Sequence, residues 1–136
     1  MEYSFKIPCS KNRLGDIRVF LEKVLSENNV PEVTMGSLVL AVDEVCANLI
    51  IHSHKCNEKE QIELKVDVNK KDGITFYIID HGDGFNIGEY QEPSISEIVK
   101  TKRKGGMGLM LVRRIMDDIE LIKKKHKNIY RLHKNI

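Results

Sequence analysis

The stretch Leu38-Val39-Leu40-Ala41-Val42-Asp43-Glu44-Val45-Cys46-Ala47-Asn48-Leu49-Ile50-Ile51-His52 decides how the rest of the chain is read. Leu38, Val42, Val45, Leu49 and His52 recur at three- and four-residue steps, and Val39, Cys46 and Ile50 widen the stripe. This is the pattern of an amphipathic helix with a broad apolar face, packed well into a core. Glu44 and Asn48 interrupt it four residues apart, so they stand one turn above each other, with Cβ atoms about 6 Å apart. A carboxylate so placed can take a proton or orient a hydroxyl, and an amide oxygen can ligate a hard cation such as Mg²⁺. For an isolated Glu-x-x-x-Asn a solvated polar strip is the simpler account. Two glycine motifs further along shift the balance.

Outward from this helix the chain reads as one domain. Its 136 residues can bury a core without disulfides or a structural metal. The hydrophobic share of 41% and charged share of 31% suit a globular protein that does not enter a membrane. A net charge of +2 leaves no electrostatic footprint for direct nucleic-acid binding. Cys9, Cys46 and Cys56 lack metal-ligand spacing and fit a reducing setting; Cys46 falls on the apolar helix and reads as core. The first residues contain no apolar signal region and no run reaches membrane-spanning length, so the expected location is the cytoplasm.

In chain order, Tyr3, Phe5 and Ile7 alternate with polar residues as a strand that Pro8 stops. Ser10 or Asn12 can cap a helix running to about Asn28, on the stripe Leu14, Ile17, Phe20, Leu21, Val24 and Leu25. Arg18 lies at that stripe's margin, where spacing alone reads it as a snorkelling surface residue. Asn28 to Pro31 is a break, and Thr34 or Ser37 is expected to cap the central helix. Ile62, Leu64, Val66 and Val68 alternate as a strand, Lys70 to Gly73 is a turn, and the β-branched run Ile74 to Ile79 is a central strand. Asn86 to Lys104 shows no sustained periodicity. A helix follows to about Asp117, then strands over Ile119 to Lys123 and Ile129 to Leu132, joined by a basic turn read as a solvated hairpin tip. The order β-α-α-β-β-α-β-β predicts an α+β, two-layer α/β sandwich, with helices on one face of a mostly antiparallel mixed sheet.

Asp80-x-Gly82-x-Gly84 ends the buried strand. Its glycines let backbone approach a flat ligand, and its carboxylate can accept a hydrogen bond from an exocyclic amine. Gly105-Gly106-Met107-Gly108 opens a helix, where free N–H groups and the positive helix end suit a phosphate. Each motif alone is weak. Together, Glu44-x-x-x-Asn48, Asp80-x-Gly82-x-Gly84 and Gly105-Gly106-x-Gly108-Leu109 resemble, in order, the N, G1 and G2 boxes of the GHKL ATP-binding superfamily, whose Bergerat fold is the sandwich inferred above. Within it the wording Val42 to His52 and Gly106 to Asp117 is most similar to the anti-sigma factor serine kinases of the RsbW and SpoIIAB type, over nearly the whole chain.

The resemblance implies a single histidine-kinase-like ATPase domain over residues 1–136, with an ATP lid at about 86–105. It implies ATP and Mg²⁺ as cofactors, with Asn48 binding the Mg²⁺ and Glu44 as the catalytic base. Asp80 would hold the adenine amine, Gly82 and Gly84 would line the base pocket, and Lys104, Gly105, Gly106, Gly108 and Leu109 would hold the phosphates. Arg18 matches an arginine that meets the protein substrate. The implied reaction moves the γ-phosphate of ATP to a serine of a STAS-domain anti-anti-sigma partner, and so controls whether this protein holds a sigma factor. The family also allows a homodimer through a sheet edge or helices. The alternative reading is a nucleotide-gated protein-binding module that transfers nothing. A histidine kinase fragment or an ATP-driven clamp fits less well, because few residues precede the first helix and none follow the last strand as a further domain.

Overall fold

The computed structural model describes residues 1–8, 10–50, 61–80, 104–124 and 127–135, and for residue 11 and residues 104–109 it describes the backbone. Strand β1 (Glu2–Pro8) leads through a short 3₁₀ turn (Lys11–Arg13) into helix α1 (Leu14–Glu27) and helix α2 (Glu32–Asn48). Strands β2 (Gln61–Asn69) and β3 (Gly73–Asp80) follow, then helix α3 (Lys104–Ile115) and strands β4 (Asp118–Lys124) and β5 (Lys127–Lys134). The strands form one five-stranded sheet in the order β1-β2-β3-β5-β4. A mostly antiparallel mixed sheet was expected from the sequence; the sheet is antiparallel as expected, with no parallel pairing among the described strands.

The register explains the two layers. Leu64 lies opposite Ile78, Val66 opposite Phe76, and Phe76 in turn opposite Leu132, so each strand's apolar alternates fall on one face. All five of these side chains are buried, while Glu63, Lys65 and Asp67 of β2 point to the other face. The helices cover the apolar face. Ile17, Leu21, Val24 and Leu25 of α1 and Leu38, Val42 and Val45 of α2 join the same core, each large aliphatic contributing roughly 1.5–3 kcal/mol by its burial. Phe5 of β1 and Phe20 of α1 stack with ring centroids 4.8 Å apart, fixing the first helix to the edge of the sheet.

The helix ends follow local chemistry. The Ser10 hydroxyl accepts the Asn12 amide at 3.3 Å, so Ser10 caps the 3₁₀ turn rather than α1 directly. Helix α1 ends with the Val30 amide on the Leu25 carbonyl and the Asn29 amide on that of Ser26. Asn29 takes the left-handed conformation at φ 60°, which asparagine tolerates better than most residues. Helix α2 starts at Glu32, just after Pro31, so Thr34 and Ser37 lie inside the helix and not at its cap. Proline supplies that entry because its fixed φ suits a helix start and its missing N–H costs nothing there.

Candidate nucleotide and phosphotransfer site

Helix α2 carries the two polar residues that the apolar pattern set apart. The Asn48 side-chain nitrogen donates to the Glu44 carbonyl oxygen at 2.7 Å. That contact identifies which end of the amide is nitrogen, since two facing oxygens would repel. It leaves the Asn48 Oδ1 without a protein partner among the described residues, on a side chain that is buried. A neutral amide oxygen of this kind can ligate Mg²⁺. Immediately after Asn48 the helix widens to π geometry at Leu49 and Ile50, a form concentrated at functional helix ends.

Glu44 is half-buried. Burial pushes its carboxyl above the ordinary value, and the neighbouring Asp43 carboxylate adds to the push. Such a group holds a proton more readily than a solvated glutamate, which suits a general base for a hydroxyl. Cys46 on the same helix is fully buried, and its thiol is pushed far above the ordinary range by burial first and Asp43 second. It packs and does not react.

Asp80 is the last residue of the central strand and is fully buried. It lies between Ile62 of β2 and Asn128 of β5, on the face that carries Phe76 and Ile78. Asn128 is also buried, directly across from Asp80. The sequence reading placed Asn128 in a solvated turn, but the strands reach Lys124 and Lys127, so this residue faces the core layer. The alternation of Asn128 with Tyr130 and Leu132 was the signal that could have found it.

Gly105, Gly106, Gly108 and Leu109 form the first turns of α3, which begins at Lys104. The opening N–H groups of a helix have no partner within it, so this backbone can receive an anion. Residues 104 and 105, the expected end of the lid, are therefore helical. Gly82, Gly84 and the remainder of the expected lid, 86–103, lie outside the described residues, as does His52. Helix α2 packs against both α3 and β3, so the element bearing Glu44 and Asn48 adjoins those bearing the other two motifs.

Arg18 does more than snorkel. Its Nε pairs with Asp43 Oδ1 at 3.1 Å, tying α1 to the residue beside Glu44. The arginine is half exposed, so the pair contributes about 0–1 kcal/mol to stability. Arg13 is occupied by Asp16, also at 3.1 Å. Among the described residues no cluster of three or more His, Cys, Asp or Glu gathers to hold a metal unaided. No helix among the described residues is long and apolar enough to cross a membrane.

Comparison with known proteins gives three findings. The family model for the histidine kinase-like ATPase domain matches residues 7–134. The serine-protein kinase RsbW of Bacillus subtilis (strain 168) is 27% identical over 120 residues, which are 85% of this chain and 74% of that protein. Among solved structures, the RsbU and RsbW domains of Rv1364c from Mycobacterium tuberculosis match with a TM-score of 0.71 at 13% identity, covering 99% of this chain. This chain spans only 32% of that longer one. A chain of the SiaB-SiaC complex from Pseudomonas aeruginosa matches with a TM-score of 0.64 at 13% identity, over 98% of this chain and 89% of that one. At such identities the structural matches establish the shared fold.

Proposed function

The chain belongs to the histidine kinase-like ATPase family, and on that premise we propose that it is an ATP-dependent serine-protein kinase acting as an anti-sigma factor by partner switching. Its substrate is a serine on a STAS-domain anti-anti-sigma protein. The unphosphorylated partner binds this protein and frees a sigma factor; the phosphorylated partner leaves, and sigma is held again. The observation that carries this reading is the pairing of Glu44 with Asn48 on one turn of α2, with the amide nitrogen pinned on the Glu44 carbonyl. The similarity to kinases named for serine transfer supports the reaction class.

Each residue then has a defined task. Asn48 would hold Mg²⁺ through Oδ1, and the ion would supply charge neutralisation at the phosphates. Asp80 accepts a hydrogen bond from the adenine amine at the end of β3, with Gly82 and Gly84 lining the base. The free N–H groups of Lys104, Gly105 and Gly106 receive the phosphates at the start of α3, Gly108 and Leu109 form the turn beneath them, and Lys104 adds positive charge. Glu44 orients the partner's serine hydroxyl and takes its proton, a task its raised proton affinity suits. Little covalent chemistry is asked of the protein, because phosphoryl transfer depends mainly on positioning and charge neutralisation. Arg18 contacts the partner from α1. The protein works in the cytoplasm, and pairing of two copies through a sheet edge is compatible with the exposed strands β1 and β4.

The experiment mixes the purified chain with γ-labelled Mg-ATP and each STAS-domain protein of the same genome. Label on one partner's serine supports the kinase and names its substrate. Tight ATP binding with no labelled partner favours the nucleotide-gated binding module instead.

A further inference from the structure

Helices α1 and α2 leave between them a solvent-open groove of about 530 Å³. Met35, Gly36, Val39 and Leu40 of α2 form its apolar floor. Elsewhere on the same two helices Val33 is 86% exposed and Val19 is 67% exposed. Leu40, 42% exposed, is the one of the five large exposed hydrophobics among the described residues that lines the groove. Met35, Val39 and Leu40, brought together in one open cleft, make an apolar surface that another molecule can cover.

Gly36 adds an independent observation. A glycine inside a helix costs about 1 kcal/mol relative to alanine. Its own chain does not demand it, because a Cβ there would meet nothing within 4 Å. What the missing side chain provides is a bare stretch of helix at the bottom of the cleft, where another molecule can approach closely. The rim fixes the sign of that molecule. Glu22, Glu32 and Asp43 face one cation, Arg18, and Asp43 already pairs with it. Neither Glu22 nor Glu32 has an ion-pair partner among the described residues.

We propose that this groove receives an amphipathic helix of a partner protein, its aliphatic ridge seated over Gly36 and its flanking lysines or arginines set against Glu22 and Glu32. The proposal rests on the partner-holding function stated above and specifies the surface and the chemistry of one partner. Helix-in-groove recognition of this kind takes apolar anchors at helical spacing, and the charged rim sets orientation and choice.

The test uses two synthetic amphipathic helical peptides with the same leucine ridge, one flanked by lysines and the other by glutamates. Each is titrated into the full chain while amide chemical shifts and fluorescence anisotropy are followed. The lysine peptide should bind about tenfold more tightly than its acidic twin, with shifts centred on Val33 to Leu40. A Glu22→Lys/Glu32→Lys double variant should lose that preference. Gly36→Leu should weaken binding about tenfold, whereas Gly36→Ala should keep it. All of these variants should still bind ATP, which reports an intact fold. Equal binding of the two peptides, shifts confined to other surfaces, or a self-association that Gly36→Leu dissolves would each overturn the proposal. Failure of the chain itself to bind ATP would count against the kinase reading and leave the peptide result standing.

Discussion

The side-chain amide of Asn48 is anchored to the backbone carbonyl of Glu44, 2.7 Å away, so one turn of α2 fixes both residues as a unit. The hydrogen bond holds the Asn48 rotamer and directs its oxygen away from the helix backbone. Asn48→Ala should therefore remove the Mg²⁺-dependent share of ATP binding. We expect the affinity in Mg²⁺ to fall about tenfold or more, toward the value in EDTA, and the stability to fall by about 1 kcal/mol. Calorimetric titration with and without Mg²⁺, together with urea unfolding, measures both.

Asp80 ends the central strand fully buried, opposite Asn128. The nearly isosteric Asp80→Asn should keep the fold and lose a charge-assisted hydrogen bond to the base, a loss of about 1.5–3 kcal/mol in ATP affinity. Titration of ATP and GTP into both proteins checks it. The wild-type chain should prefer ATP, and the variant should bind both weakly.

The turn between β2 and β3 depends on Gly73, which sits at φ 114°. A Cβ there would run into the carbonyl oxygen of Lys134 on β5. Gly73→Ala should cost about 2 kcal/mol or more, since alanine resists the conformation and the neighbour is backbone. Urea denaturation should show a lower midpoint with an unchanged slope.

Glu44 is held above the ordinary carboxyl value of 4.5 by burial and by Asp43. The folded chain thus binds this proton more tightly than the unfolded chain, so ionising Glu44 costs stability, and the cost grows as pH rises above 4.5. Glu44→Gln should match or exceed the wild-type Tm at neutral pH. That advantage should fade as pH falls through the ordinary carboxyl range. Thermal melts across pH 4–8, a range chosen around the usual carboxyl pKa of about 4.3, read the difference directly.

Much of this arrangement was legible in the sequence because it is local. The three- and four-residue spacing of Leu38, Val42 and Val45 gives α2 its buried face, and the alternation of Ile62 to Val68 gives β2 its own. Glu44 and Asn48 stood out because they interrupt an apolar run and are followed by the two glycine motifs; alone they read as a solvated strip. What escaped depends on contacts between distant segments. Arg18 meets Asp43 across 25 residues of chain, and no spacing rule pairs them. Asn128 looked like a turn residue because lysines surround it, yet its place opposite Asp80 is set by how β5 enters the sheet. The start of α2 was misplaced for a local reason: Pro31 holds the N-cap position and the helix begins at Glu32, so the hydroxyls of Thr34 and Ser37 came too late to cap it.

The central claim is that Glu44 takes part in phosphoryl transfer and does not merely help to hold nucleotide. The direct measurement is single-turnover transfer of label from Mg-ATP to the partner serine, comparing the wild-type chain with Glu44→Ala at saturating ATP. The account predicts that Glu44→Ala binds ATP within about twofold of the wild type while transfer slows by about a hundredfold or more. Transfer at the wild-type rate by Glu44→Ala would contradict it.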